Sequence, residues 1–149
     1  MRIDKKKILF LCTGNSCRSQ MAEGWAKKLL PQGSFEIYSA GIEAHGLNPK
    51  AVSAMKEAGV DISAQRSKRL DELKDVEFDL VVTVCGDANE QCPVFPGKAR
   101  VLHAGFDDPP GLEAGAKDEE EAFGHYRRVR DEIKGFVSRL PEIMKGEGL

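Results

Sequence analysis

The chain has 149 residues, 22 Lys and Arg against 24 Asp and Glu, and a net charge of −2; it is 41% hydrophobic and 31% charged. That composition excludes a disordered tail, and the near-neutral charge argues against a nucleic-acid partner. No apolar run approaches the ~20 residues of a membrane span, and the apolar stretch 8–11 is too short for a signal-peptide core, so no membrane contact and a cytoplasmic location are expected. The simplest organisation is one domain, 1–149, of a length that buries roughly 68–70% of the unfolded surface and needs no disulfide or metal to hold its core.

Ile8-Leu9-Phe10-Leu11 is a continuous apolar run, which suits a strand buried on both faces of a parallel sheet. A turn of small polar residues follows. From about Cys17, Met21, Ala22, Trp25 and Leu29 recur at helical spacing until Pro31 and Gly33. Residues 35–40 alternate as a second strand, stopped by Gly41. Asn48-Pro49 opens a helix with Ala51, Val52, Met55 and Ala58 on its apolar face and Gly59 as its stop. Residues 67–74 read as a short helix or turn, 80–84 as the clearest strand and 100–103 as a weaker one. The Pro- and Gly-containing stretch 106–116 reads as a loop. A last helix is expected over about 118–140, opened by the acidic run Asp118 to Glu121 and ended by Pro141. Strands alternating with helices predict an α/β fold: a three-layer α/β/α arrangement around a four-stranded parallel sheet, with ligands at the carboxyl ends of the strands.

The four cysteines are Cys12, Cys17, Cys85 and Cys92. In a reducing compartment they do chemistry or simply pack. The first lies in Cys12-Thr13-Gly14-Asn15-Ser16-Cys17-Arg18-Ser19, between a buried strand and a helix start. Helix-start N–H groups lack intrahelical partners, and a loop of small residues lets its amides converge on a tetrahedral oxyanion. Gly14 has no Cβ to block the approach, and Asn15 tolerates a left-handed conformation. Arg18 is spaced to return over the loop and grip two oxyanion oxygens. The same donors stabilise a thiolate, so the Cys12 pKa is expected to fall from ~8.5 toward ~3.5–7.5. Ser16 or Ser19 is available to hydrogen-bond the sulfur. A merely buried Cys before an incidental polar turn leaves the coincidence of Gly14, Arg18 and the strand-to-helix context unexplained.

Cys12-x5-Arg18-Ser19 after an N-terminal strand resembles the low-molecular-weight protein tyrosine phosphatase fold, and residues 12–25 resemble the thioredoxin-coupled arsenate reductases built on it. The resemblance continues through Tyr38-Ser39-Ala40-Gly41, His45-Gly46-Leu47-Asn48-Pro49, residues 79–83, Gly105-Phe106-Asp107-Asp108-Pro109 and residues 128–133. It implies an oxyanion cradle of Thr13, Gly14, Asn15, Ser16, Cys17, Arg18 and Ser19. It implies Asp108, the Asp before Pro, as general acid, with Asp107 the fallback. It also gives Cys85 and Cys92 a purpose. A phosphatase has no need of such a pair, whereas arsenate reduction takes two electrons from thiols. The implied cascade runs from Cys12 to Cys85 to Cys92, with thioredoxin as reductant, arsenate as substrate, phosphate or sulfate as competing oxyanions, no cofactor, and a monomer.

Cys17 reads as a packed side chain rather than a spare redox partner, and Trp25 and His45 as packing and turn residues. Some relatives bind potassium beside the cradle, at positions matching Asn15, Glu23, Ser39 and an Asp; here the last is Lys68, whose ammonium can replace the ion, so no metal is predicted. A tyrosine phosphatase is the rival reading. Against it, Pro110 stands where those enzymes carry an aromatic wall, and Gln20 where they carry Pro. A thiol sensor or zinc module would leave Arg18 unexplained and has a Cys85–Cys92 spacing wider than usual zinc knuckles.

Overall fold

Strand β1, Lys6–Cys12, carries Ile8, Leu9, Phe10 and Leu11, all with no exposed surface, so it must have protein on both faces. The computed structural model describes residues 5–85, 95 and 97–149. Around β1 stand β2 (Phe35–Gly41), β3 (Leu80–Cys85) and β4 (Arg100–Phe106), all parallel, in the order β2-β1-β3-β4. The chain leaves β1 toward β2 and returns on the other side to β3. That reversal creates a crevice at the carboxyl ends of β1 and β3, where Cys12 and Cys85 end their strands. Leu11 pairs with Thr83, so the two cysteines lie within two register steps of each other.

Helices α1 (Arg18–Leu29), α2 (Pro49–Glu57) and α4 (Glu119–Gly146) pack together on one face, over Ile8, Phe10, Leu80, Val82 and Val84. Trp25 sits at the centre of that layer, 1% exposed, with its Nε1 donating to the Arg130 carbonyl at 3.1 Å. The other face buries Leu9, Leu11 and Val81. Among the described residues it is covered by a 3-10 turn, Leu70–Leu73, and by the edge-to-face rings of Tyr38, Phe78 and Phe95, a thinner layer than the helices expected there.

Three boundaries differ from the sequence reading. Pro141 does not end α4 but lies inside it. A proline within a helix costs about 3 kcal/mol. The turn beyond it is nevertheless held by burial of Met144, by the Glu147 amide donating to the Ile143 carbonyl and by an Arg100–Glu147 ion pair. The stretch after Phe106 is not all loop. Pro109 and Pro110 occupy the first positions of a short helix α3, Pro109–Glu113, where a missing N–H is no loss. Strand β4 runs three residues further than expected, because its pairing with β3 extends to Cys85 and Phe106 after a register shift.

The Trp25→Ala variant empties the middle of the helical layer. Its unfolding free energy, from urea titration, is expected to fall by roughly 3–5 kcal/mol.

Candidate active site

The loop after β1 is shaped from outside. The amides of Glu43, His45 and Asn48 donate to the carbonyls of Thr13, Gly14 and Ser16 at 3.0, 2.9 and 3.0 Å. Gln20 Nε2 takes the Asn15 carbonyl at 3.1 Å, and Ser67 Oγ also donates to the Gly14 carbonyl. Four successive carbonyls are thereby engaged by neighbouring segments. Asn15 has φ 46, the left-handed conformation expected of it, and is fully buried. A left-handed residue in such a turn is the nest geometry that gathers N–H groups on an anion. A Cβ on Gly14 would come 2.3 Å from Nδ1 of His45, an exposed side chain. Gly41, at the end of β2, passes so close that a Cβ would lie 2.6 Å from the Thr13 carbonyl and 2.8 Å from the Asn15 amide.

Cys12 is a free thiol, 3% exposed, with Sγ 3.1 Å from Ser19 Oγ. Of the two serines considered, Ser19 makes this bond. Its oxygen also accepts from Asn15 Nδ2 at 2.8 Å, which directs the hydroxyl proton toward the sulfur. The Asn15 amide is oriented in turn, because Oδ1 accepts from Gln20 Nε2 and the Lys68 amide at 3.0 and 2.9 Å. Gln20 Oε1 accepts from Gln65 Nε2 at 2.8 Å. A line of fixed dipoles thus runs Gln65, Gln20, Asn15, Ser19, Cys12. Sequence reasoning singled out Gln20 only as a departure from phosphatases and passed over Gln65. The available signal was a polar residue directly before the core-facing Met21 and Ala22.

Arg18, 4% exposed, opens α1. Its Nη1 donates to the Phe106 carbonyl at 3.1 Å, and its Nη2 lies 3.5 Å from Asp108 Oδ1. The two aspartates are thereby told apart: Asp107 pairs with Arg128 at 3.0 Å, on the exposed side. Cys17 is buried, and burial, with the Asp108 carboxylate next, pushes its thiol well above the ordinary range. Cys85 is disulfide-bonded. Cys92, named with it from the sequence, lies outside the described residues.

Lys68 Nζ donates to the carbonyls of Ser39 and Arg66 at 3.0 and 2.9 Å and lies 4.0 Å from Glu23 Oε1. Glu23, itself buried, accepts from Ser39 Oγ at 2.5 Å. Two carbonyls and a carboxylate would suit a monovalent cation, and here a tethered ammonium sits among them. Burial pushes Lys68 below the ordinary lysine value, with Glu23 opposing the shift. The bridge between Gly41 and Arg69, and the Gly41 amide donating to the Lys68 carbonyl, bring this segment to the end of β2.

Chemically, the arrangement sets a polarised sulfur and a buried guanidinium in one crevice, with a carboxyl group across from the sulfur-bearing loop. Residues 7–147 match the model of the low molecular weight phosphotyrosine protein phosphatase family. The chain belongs to that family. It is 55% identical over 140 residues to an arsenate reductase of Bacillus licheniformis, covering 94% of this chain and 98% of that one. Its structure is similar to that of an arsenate reductase in the phosphate-binding state, with a TM-score of 0.74 and 32% identity over 91% of this chain and 95% of that one. It is also similar to a thioredoxin-dependent arsenate reductase from Corynebacterium glutamicum, with a TM-score of 0.68 and 26% identity over 99% of this chain and 65% of that one. No helix among the described residues is long and apolar enough to cross a membrane.

Removing the Ser19 hydroxyl strips the sulfur of a fixed donor. Ser19→Ala is expected to slow alkylation of Cys12 by iodoacetamide at neutral pH about tenfold, the worth of one hydrogen bond to a charged group. Wild-type protein is expected to have equal turnover in potassium and sodium salts. Lys68→Ala should lose thermal stability and turnover, and potassium should restore part of both; equal behaviour of this variant without potassium would remove the ammonium from the account.

Proposed function

We propose that the chain reduces arsenate to arsenite with electrons from its own thiols, and passes the resulting disulfide to a dithiol protein of the thioredoxin type. The observation that carries this reading is the bond between Ser19 Oγ and Cys12 Sγ beside the buried Arg18, in a chain so similar to arsenate reductases. The amides of residues 13–19 and the Arg18 guanidinium hold the tetrahedral oxyanion; phosphate and sulfate compete for the same donors.

The Cys12 thiolate attacks arsenic. Asp108 protonates the departing oxygen, which leaves as water. A Cys85 thiolate then attacks Cys12 Sγ. The arsenic–sulfur pair of electrons stays with arsenic, which leaves as arsenite, and a Cys12–Cys85 disulfide remains. Cys92 attacks Cys85 Sγ and expels the Cys12 thiolate, a good leaving group because its neighbours stabilise it. The closing disulfide is Cys85–Cys92. That Cys85 is disulfide-bonded while Cys12 is free supports this order. On strand parity Cys85 falls with Val81 and Thr83 rather than with the Cys12 side of the sheet. The cascade therefore requires the Cys85 sulfur to turn toward the Cys12 side of the sheet. Thioredoxin as donor is supported by the thioredoxin-dependent structural relative, and a reducing cytoplasm is the compartment in which such a cascade resets.

The phosphatase chemistry of the family needs only Cys12, Arg18 and Asp108, so slow hydrolysis of aryl phosphates accompanies the main reaction. In a coupled assay with thioredoxin and its reductase, Cys12→Ser should abolish both activities. Cys85→Ser and Cys92→Ser should abolish arsenate turnover and spare aryl phosphate hydrolysis. Unchanged arsenate turnover in Cys85→Ser would overturn the cascade.

A further inference from the structure

The short helix α3 begins directly after Asp108 and ends at Glu113. Five residues do not hold a helix by themselves in water. What holds this one is a polar cluster that the reaction scheme leaves unused. One oxygen of Glu113 is ion-paired with Lys50 Nζ, from the first turn of α2. The other accepts from Tyr126 Oη of α4 at 2.9 Å. Lys50 also lies 3.3 Å from Glu119 at the start of α4. Asn48 Nδ2 donates to the same phenol oxygen at 3.3 Å, while the Asn48 amide donates to the Ser16 carbonyl. The cluster is therefore continuous with the loop that carries Cys12.

Its chemistry suits a fixed anchor. Tyr126 has no exposed surface, and burial, with the Glu113 carboxylate next, keeps its phenol protonated and donating. Lys50 and Tyr126 hold Glu113 below the usual carboxylate range, so it remains an acceptor. At the other end of α3, the Leu112 amide donates to the Asp108 carbonyl at 3.0 Å, and a Cβ on Gly111 would lie 3.3 Å from Asp108 Oδ2. The Asp108 carboxyl thus rests against the first turn of α3 and moves with it. The neighbouring pair Arg128–Asp107 ties the entry to this segment, and the Glu113 cluster ties its exit.

We propose that Glu113, gripped by Lys50 and Tyr126, is a positioning residue that sets Asp108 at the distance from Cys12 needed to protonate the leaving oxygen. The inference rests on the acid role of Asp108 argued above. Loosening Glu113 should then slow only steps that need that proton. Single-turnover release of phenol from phenyl phosphate needs it strongly; release of p-nitrophenol, a far better leaving group, needs it little.

Both releases are measured for wild type, Glu113→Gln, Tyr126→Phe, Lys50→Arg, Asp108→Asn and the double variant Glu113→Gln/Asp108→Asn. Glu113→Gln and Tyr126→Phe are expected to slow phenol release about tenfold at unchanged KM, with p-nitrophenol release kept, and Lys50→Arg to retain wild-type rates. Glu113→Gln should add nothing in the Asp108→Asn background. Equal slowing of both leaving groups, or a further loss in the double variant, overturns the positioning role while leaving the acid assignment intact. An Asp108→Asn enzyme that slows both releases equally overturns the acid assignment and the anchor together. Tyr126→Phe, which keeps the ring in the core, serves as the second test should Glu113→Gln fold poorly.

Discussion

The left-handed backbone of Asn15 is the constraint on which the rest of the site depends. A non-glycine residue at φ 46 is costly unless its surroundings hold it there. Here they do so through every polar atom of the side chain: Nδ2 reaches Ser19, and Oδ1 takes Gln20 and the Lys68 amide. No buried side-chain nitrogen or oxygen among the described residues lacks a partner. Such a network is close to all-or-none, since each buried group left unpaired costs about 1–3 kcal/mol. The backbone strain and the orientation of the Cys12 sulfur are therefore one property. Distorting Asn15 would release both the nest and the donor line that ends at Ser19.

Charge is arranged around that network in matching layers. Glu23, a buried carboxylate, sits beside the loop proposed to hold the anion and would by itself repel it. Ser39, Lys27 and Lys68 engage that carboxylate at 2.5, 2.5 and 4.0 Å. An exchangeable ion in the place of Lys68 would make the site follow the salt around it by mass action. A side chain on the backbone removes that dependence and accepts a permanent desolvation cost instead. The bridge from Gly41 to Arg69 is what permits it, by holding residue 68 at the end of β2.

Much of this was legible in the sequence, for identifiable reasons. The apolar run 8–11, the β-branched run of β3 and the Asn48-Pro49 start report burial and capping directly, and each marks its element within a residue or two. The site loop was legible because small residues, a cysteine and an arginine at fixed spacing have few other uses. What escaped were effects of tertiary contact. Pro141 reads as a stop because local propensity opposes it; only the packing of Met144 and the contacts of Glu147 carry α4 onward. Gly41 reads as the stop of a strand, whereas a Cβ there would run into the Thr13 carbonyl and the Asn15 amide of the site loop. The link from Gln65 through Gln20 to Asn15 escaped because a line of amide side chains has no periodicity; the polar residue before Met21 and Ala22 marked only one end of it.

The cradle itself does not separate a phosphatase from a reductase, since both begin with a thiolate on a tetrahedral centre under an arginine. They part at the second step. A phosphatase must bring water to the adduct, and its aromatic walls serve the substrate's leaving group. A reductase must bring a second sulfur and keep water from spending the adduct first. In this chain the position after Asp108-Pro109 is Pro110, which gives the leaving group no aromatic ring to stack on and instead takes the second position of α3. The residue after Ser19 is Gln20, spent on orienting Asn15. The strand beside β1 ends in Cys85, at the crevice that the sheet order creates. Pro110 takes away a surface for an aryl group, Gln20 serves the rigidity of the sulfur, and in the proposed cascade Cys85 serves the supply of electrons; the proposed substrate, a bare oxyanion, asks for nothing else.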